Sequence, residues 1–147
     1  MKVKDCMSKD VCCVACSSNI TDVAKIMSSK HIGCVPVCDD KQNVVGIVTD
    51  RDLILRCIAC GKDANNTPVT DVMTTKVVNT TPETSVSEAS KVMCDCQIRR
   101  LPVMQNNKVV GMLTIGDLAQ NMDIDSEDVS YTMEQICSCN GNVKNAE

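Results

Sequence analysis

Gly46-Ile-Val-Thr-Asp-Arg-Asp52 and Gly111-Met-Leu-Thr-Ile-Gly-Asp117 follow one pattern, Gly-apolar-apolar-Thr-x-x-Asp, and this doubled stretch decides the fold. Each copy follows an apolar run and precedes a helical stretch, which predicts a strand that leads into the start of a helix. The free N–H groups and positive dipole end of a helix start suit an anion such as a phosphate. The Asp adds a carboxylate that can accept hydrogen bonds from ribose hydroxyls. The doubled stretch therefore predicts two related ligand sites.

The repeat extends over most of the chain. Asp5-Cys-Met7 returns 66 positions later as Asp71-Val-Met73, and Pro36-Val37 returns at the same offset as Pro102-Val103. The offset falls to 65 after a polar loop, where a change of length is tolerated. The sequence thus predicts an internal duplication of units of roughly 60 residues, which bury their apolar faces against each other. The predicted organisation is one repeat at 1–61, a linker at 62–68, a second repeat at 69–122, and a tail at 123–147 with one short helix around 129–136.

Each half is predicted to run β-α-β-β-α. The first helix of each half has an expected N-cap, Asn19 in one and Ser85 in the other, where Glu88 completes a capping box. Thr49 and Thr114 are predicted to cap the second helices. The expected strands lie at 11–14, 34–38 and 44–48 in the first half and at 76–80, 101–104 and 109–113 in the second. Because the chain has no Trp or Phe and only one Tyr, the core is expected to consist of Val, Ile, Leu, Met, Ala and Cys.

These motifs resemble a tandem pair of CBS domains, the module first named for cystathionine β-synthase. The resemblance covers about residues 1–122 and rests on the doubled motif, the Asp-x-Met openings, the run Ile98–Val103 and its partner Ile32–Val37. It implies an α/β (α+β) fold in which two repeats pack through their sheets with pseudo-two-fold symmetry. It also implies a regulatory module that binds AMP, ADP, ATP or S-adenosylmethionine in clefts between the repeats and forms a homodimer.

The resemblance assigns ligand-binding roles to eight residues, which are Thr49, Asp52, Thr81, Ile98, Arg99, Arg100, Thr114 and Asp117. In the family, a cleft combines the Thr-x-x-Asp helix of one repeat with the strand end and basic run of the other. The first cleft then joins Asp52 to Arg99 and Arg100, whereas the matching places of the second cleft hold uncharged residues, which are Ala15, Cys16, Ile32 and Gly33. Two plainer interpretations stay open: the Thr and Asp residues serve only as helix caps, and the two arginines are only solvated charges.

Composition argues against several classes of protein. The net charge of −4 opposes non-specific binding to nucleic acid, and the near absence of aromatic residues removes stacking surfaces for single strands. No apolar run approaches 18 residues, so no membrane span is expected, and residues 1–11 lack the apolar core of a signal peptide. The predicted location is cytoplasmic. A Ser–His–Asp set, a His-based metal cluster and a P-loop are all missing, so the sequence predicts a protein that is not an enzyme, with no catalytic residues and no resident cofactor.

The twelve cysteines leave an alternative open. Cys13/Cys16 and Cys57/Cys60 have Cys-x-x-Cys spacing, which occurs in zinc and redox sites, but free cysteines in a reducing compartment are more often small apolar residues. The sequence predicts no metal site. Three hypotheses follow: a sensor of adenosyl compounds, a non-catalytic subunit that regulates a separate enzyme or transporter with vestigial ligand binding, and a thiol-based redox or metal sensor.

Overall fold

A computed structural model describes residues 1–121 and 126–137. It is a mixed α/β structure that separates into two compact units. Each unit contains most of one predicted repeat, but the bounds of the units differ from those of the repeats. The repeat-1 unit consists of Cys12–Val77, and the repeat-2 unit consists of Met1–Val11 together with the described residues from Val78 onwards. The predicted mixed fold with two small sheets is confirmed. The acidic start and the polar end of the predicted tail lie outside the described residues.

The repeat-1 unit contains a three-stranded sheet and three helical segments, of which the last is a single 3-10 turn. Strand β1 (Val14–Ala15) pairs in parallel with β2 (Cys34–Cys38). Strand β2 pairs antiparallel with β3 (Val44–Thr49), which confirms the predicted hairpin. Helix α2 begins after Asn19, whose side chain accepts a 2.8 Å hydrogen bond from Asp22 N, so the predicted cap is confirmed. In chain order the elements are β1 (Val14–Ala15), α2 (Ile20–Lys30), β2 (Cys34–Cys38), β3 (Val44–Thr49), α3 (Asp50–Asp52), a π-helical turn (Leu53–Ile58) and a 3-10 turn (Val69–Asp71).

The repeat-2 unit contains a two-stranded antiparallel sheet and four helices. Helix α4 begins at the predicted capping box of Ser85 and Glu88, and the short tail helix is also present. The register of β4 and β5 slips at Val103/Met104, as that of β2 and β3 slips at Val37/Cys38, so both hairpins carry the same irregularity. The elements are α1 (Val3–Cys6), α4 (Val86–Cys96), β4 (Arg100–Gln105), β5 (Lys108–Thr114), α5 (Ile115–Gln120) and α6 (Ser126–Cys137).

The opening segments of the two halves are exchanged between the units. Val3 is fully buried in the core of the repeat-2 unit, and its N–H donates to Thr84 O at 2.9 Å. Val69, the matching residue of the second half, is fully buried in the core of the repeat-1 unit, and its N–H donates to Ser18 O at 2.8 Å. Each unit is therefore closed by the segment that precedes the other repeat in the sequence.

The structure shortens the two strands expected at 11–14 and 76–80, so the predicted bounds of both were wrong. In the first half only Val14–Ala15 pairs with β2, and in the second a single bridge joins Thr80 to Val103. A proline explains both truncations, because extending either parallel ladder towards the N-terminus would require an N–H from Pro36 or Pro102. The second helix of the first half also departs from an ordinary α-helix, since it widens into a π-helical turn after Asp52.

Both cores have the expected composition of Val, Ile, Leu, Met, Ala and Cys. They are separate clusters, one in each unit. Within residues 1–121 and 126–137, no helix is long and apolar enough to cross a membrane.

Candidate functional site

Each Gly-apolar-apolar-Thr-x-x-Asp motif forms a junction at which a strand becomes a helix. At the first junction Thr49 Oγ1 accepts from Asp52 N at 3.2 Å, and Asp52 Oδ2 accepts from Thr49 N at 2.9 Å. At the second, Thr114 Oγ1 accepts from Asp117 N at 3.1 Å, and Asp117 Oδ2 accepts from Thr114 N at 2.8 Å. Both are reciprocal capping boxes in which Asp replaces the usual Glu. The predicted caps are confirmed, and each cap uses only one of the two carboxylate oxygens.

The glycine of each motif makes room for the Asp-x-Met segment. A Cβ atom on Gly46 would lie 3.0 Å from Thr74 O and would collide with Met73 Sδ, and a Cβ atom on Gly111 would meet Ser8 O and Met7 Sδ in the same way. Thr74 also bridges Ile47 through two backbone hydrogen bonds of 2.8 and 2.9 Å. The segment thus fixes the strand just ahead of Thr49 and Asp52.

The structure brings several predicted ligand residues together in the repeat-2 unit. Arg100 is the ladder partner of Thr114, and Arg99 O accepts a 3.1 Å hydrogen bond from Ile115 N at the start of α5. Both arginines are exposed, whereas Ile98 packs against the core. The two guanidinium groups therefore belong to the same end of the hairpin as the second capping box.

Thr81 follows the bridge residue Thr80 and is exposed. Its Oγ1 lies 2.8 Å from Thr84 Oγ1, so the two hydroxyls share a hydrogen bond.

The repeat-1 junction has a different neighbourhood, because Cys34 is the ladder partner of Thr49 and Gly33 O accepts from Asp50 N at 3.0 Å. The strand start beside the first capping box therefore carries no charge, and the ligand roles of all eight residues stay predictions.

The environments of the two carboxylates differ. Asp52 is only 4% exposed, and its Oδ1 lies 3.9 Å from Nε of Arg56. Asp117 is half-buried, and within the described chain no basic side chain forms an ion pair with it. Burial raises the pKa of the Cys6 thiol, and the negative charges of Asp117 and Asp5 raise it further. Arg56 is not among the predicted site residues, although its spacing of four residues from Asp52 is typical of an ion pair on a helix.

The predicted Cys-x-x-Cys pairs do not assemble into a cluster. The thiol of Cys57 points to Lys62 O at 3.6 Å, and that of Cys60 points to Leu55 O at 3.4 Å. Burial, together with the neighbouring Cys38 thiol, raises the pKa of Cys13 to about 12. Among the described residues, no group of three or more His, Cys, Asp or Glu side chains is arranged to hold a metal ion. The thiol-based hypothesis stays a prediction, as does the absence of a resident cofactor.

Comparison with known proteins agrees with the doubled motif. The family model described as "CBS domain" matches twice, at residues 3–58 and 69–123. The chain is 42% identical over 120 residues to the CBS domain-containing protein YhcV of Bacillus subtilis (strain 168), an alignment that covers 81% of this chain and 84% of the relative.

Two solved structures share the fold and part of the sequence. One is Hypoxic Response Protein I with two coordinated zinc ions, which has a TM-score of 0.76 and 30% identity and covers 83% of this chain and 99% of its own. The other is CBSX2 in complex with AMP, which has a TM-score of 0.70 and 27% identity and covers 81% of this chain and 93% of its own.

Proposed function

The chain belongs to the CBS-domain family, and from this premise we propose that it is a stand-alone regulatory module that binds an adenosine-containing ligand. The observation that carries the proposal is the free carboxylate oxygen at each capping box. Oδ2 of Asp52 and of Asp117 is engaged by the cap, whereas Oδ1 of each accepts no hydrogen bond from the described chain. Ribose offers two adjacent hydroxyl donors, and an ionised carboxylate accepts such donors well.

Charge supports a phosphorylated ligand. Arg99 and Arg100 expose two guanidinium groups at the strand start, and guanidinium is suited to bidentate binding of phosphate. The crystal structure of the structural neighbour CBSX2 contains AMP. AMP, ADP and ATP are therefore the first candidates, and S-adenosylmethionine tests whether the adenosyl group alone suffices.

The regulatory role implies a partner and no chemistry of its own. In this proposal the ligand changes how the module acts on a separate enzyme or transporter, and the chain is not itself an enzyme. The proposal places the protein in the cytoplasm. If ligand binding is vestigial, the same chain acts as an interaction subunit. The thermal unfolding experiment below distinguishes this hypothesis from the sensor.

A thiol-based or metal-based sensor is the second candidate function. Two observations favour it: the structural neighbour Hypoxic Response Protein I coordinates two zinc ions, and Cys16 of this chain lies beside Cys38, to whose carbonyl oxygen its thiol donates at 3.2 Å. Elemental analysis of the protein, purified under reducing conditions without a metal-affinity step, tests this candidate. A stoichiometric metal that survives dialysis would support it, and a metal content below one tenth per chain would remove it.

A homodimer is part of the proposal. Ile54 and Ile58 in the π-helical turn are 55% and 67% exposed, which leaves apolar surface that a second copy could cover. Light scattering coupled to gel filtration should give twice the 15.9 kDa mass of the chain. A single species at 15.9 kDa at micromolar concentration would contradict the dimer.

Thermal unfolding in the presence of ligand tests the sensor. AMP, ADP, ATP and S-adenosylmethionine are added separately, with inorganic phosphate and triphosphate as controls for ionic effects. A ligand at 100 times its dissociation constant stabilises by about 2.7 kcal/mol, which corresponds to a rise in Tm of about 5–10 °C for a chain of this size. If no adenosyl compound raises the Tm at millimolar concentration, the interaction subunit becomes the better hypothesis.

A further inference from the structure

The first capping box is followed by a local structure that the second lacks. After Asp52 the helix widens into the π-helical turn Leu53–Ile58, in which Ala59 N donates to Ile54 O at 2.8 Å, five residues back. After Asp117 the chain continues in the ordinary helix α5 as far as Gln120. π-helical turns are rare and occur frequently at functional sites. The turn therefore marks the first junction as the specialised one.

The π-helical turn carries Arg56, whose guanidinium group faces two ways. Its Nε lies 3.9 Å from Asp52 Oδ1, while its Nη1 donates to Val72 O at 3.2 Å and to Thr74 Oγ1 at 3.4 Å. Val72 and Thr74 flank Met73, which occupies the space beside Gly46. The arginine is thus held by the segment that also fixes strand β3, and it presents its Nε to the carboxylate.

The distance of 3.9 Å decides what Arg56 does to Asp52. It is too long for a hydrogen bond, so Oδ1 keeps its lone pairs, yet it is short enough for the two charges to attract each other. The described residues include no buried side-chain oxygen without a partner, so Oδ1 must reach solvent although the side chain is only 6% exposed. An almost buried carboxylate is costly unless a nearby charge compensates it. Arg56 supplies that charge and leaves the acceptor open.

We infer that Arg56 is a positioning residue for the first ligand site, which holds the Asp52 carboxylate in place with Oδ1 open to a ribose hydroxyl. This inference rests on the proposed function. The second site has no such support, because Asn121 stands four residues after Asp117 where Arg56 stands four residues after Asp52. The two sites therefore differ in what accompanies the cap: Arg56 stands beside Asp52 at the first, and the Thr114 hydroxyl donates to Asp117 Oδ2 at 2.9 Å at the second.

A double-mutant cycle in ligand affinity tests the inference. Calorimetric titrations with AMP and with ADP compare the wild type, Arg56→Gln, Asp52→Asn and the double variant, and Lys62→Gln serves as a control that removes a positive charge from an exposed site of the same unit. Arg56→Gln is expected to weaken binding about five- to tenfold, and Lys62→Gln to leave it within twofold. In the Asp52→Asn background, Arg56→Gln should have no further effect, because there is no carboxylate left to position.

Four outcomes would overturn the inference. Wild-type affinity in Arg56→Gln would remove it directly, and losses that multiply in the double variant would show that Arg56 acts independently of Asp52. Arg56→Lys, which keeps the charge and guards against a folding defect in the glutamine variant, should bind within about threefold of wild type. If Arg56→Lys bound as weakly as Arg56→Gln, the effect of Arg56 would not depend on its charge. A wild-type chain that binds neither probe would remove the proposed function as well, whereas wild-type binding with an unaffected Arg56→Gln would remove this inference alone.

Discussion

Val3→Ala is expected to destabilise the half of the chain that lies far from it in sequence. Val3 belongs to the first repeat by sequence, but its side chain is fully buried among Ala89, Met93 and the β4–β5 hairpin in the repeat-2 unit. The change leaves the backbone hydrogen bonds of the segment intact, including that from Val3 N to Thr84 O. It therefore removes packing from the repeat-2 core without removing the segment itself.

The magnitude follows from the burial. Loss of two methyl-sized groups from a fully buried side chain costs about 1.6 kcal/mol in transfer free energy. The cavity left behind raises the total to about 2–3 kcal/mol. Because 1.4 kcal/mol is a factor of ten in an equilibrium constant, opening of the repeat-2 unit should become about 30- to 150-fold more frequent. Val69→Ala is the matched variant, since Val69 is equally buried in the repeat-1 unit.

Native-state hydrogen exchange read by mass spectrometry separates the two units. In Val3→Ala, peptides from 86–118 should lose protection by the factor above, while peptides from 20–58 should change little. Val69→Ala should give the reverse pattern. If each substitution instead acts on the half in which it lies by sequence, or if both variants lower protection equally in both sets of peptides, the exchange of opening segments is not what stabilises the units.

Three further predictions concern the sites and the titratable groups. Asp52→Ala is expected to remove most nucleotide affinity and Asp117→Ala little, and calorimetry showing the opposite order would mean that the two arginines act with the second capping box. Hydrogen bonds and ion pairs from Lys2 and Lys4 lower the pKa of Glu83 from its ordinary value of 4.5 to about 2. The stability that these ion pairs add is therefore present above pH 4.5 and is lost as the pH falls towards 2. Urea unfolding should therefore distinguish Glu83→Gln from wild type at pH 6 but not at pH 2, and a gap that persists at pH 2 would refute the ion pairs. Because the pKa of Cys13 is raised to about 12, its alkylation by iodoacetamide should rise about tenfold for each pH unit from 7 to 9, whereas a plateau near pH 8.5, typical of a free thiol, would contradict it.

The parts of the fold that depend on local interactions could be predicted from the sequence. Asn19, Ser85 and both Thr caps were identifiable because a cap and its partner lie within three residues of each other. The hairpins followed from runs of β-branched residues on either side of a polar loop. The limits of the short parallel strands did not follow, because they depend on a proline in the partner strand and not on the residues of the strand itself.

The exchange of opening segments could not be predicted from the sequence, for a different reason. Val3 and Val69 occupy equivalent places in two nearly equivalent patterns, so either segment satisfies the same apolar face and the pattern does not say which unit it will join. The contact between Arg56 and the carbonyl of Val72 is of the same kind. It depends on the close approach of a segment 16 residues away, which the sequence does not reveal. Only the pair of Asp52 and Arg56 was predictable, from its spacing of four residues on a helix.

The placement of positive charge also distinguishes the two junctions. In the repeat-2 unit the charge lies on the strand side, where Arg99 and Arg100 stand at the start of β4 beside the capping box of Thr114. In the repeat-1 unit that strand start holds Gly33 and Cys34, and the cation lies instead on the helix side, at Arg56. The two guanidinium groups on the strand side are exposed, and that of Arg99 donates to Cys137 Sγ at 3.9 Å. The guanidinium on the helix side instead lies beside a buried carboxylate and donates to a backbone carbonyl. Both copies therefore share the capping geometry and differ in where their arginines stand, at the strand start in the repeat-2 unit and on the helix side in the repeat-1 unit.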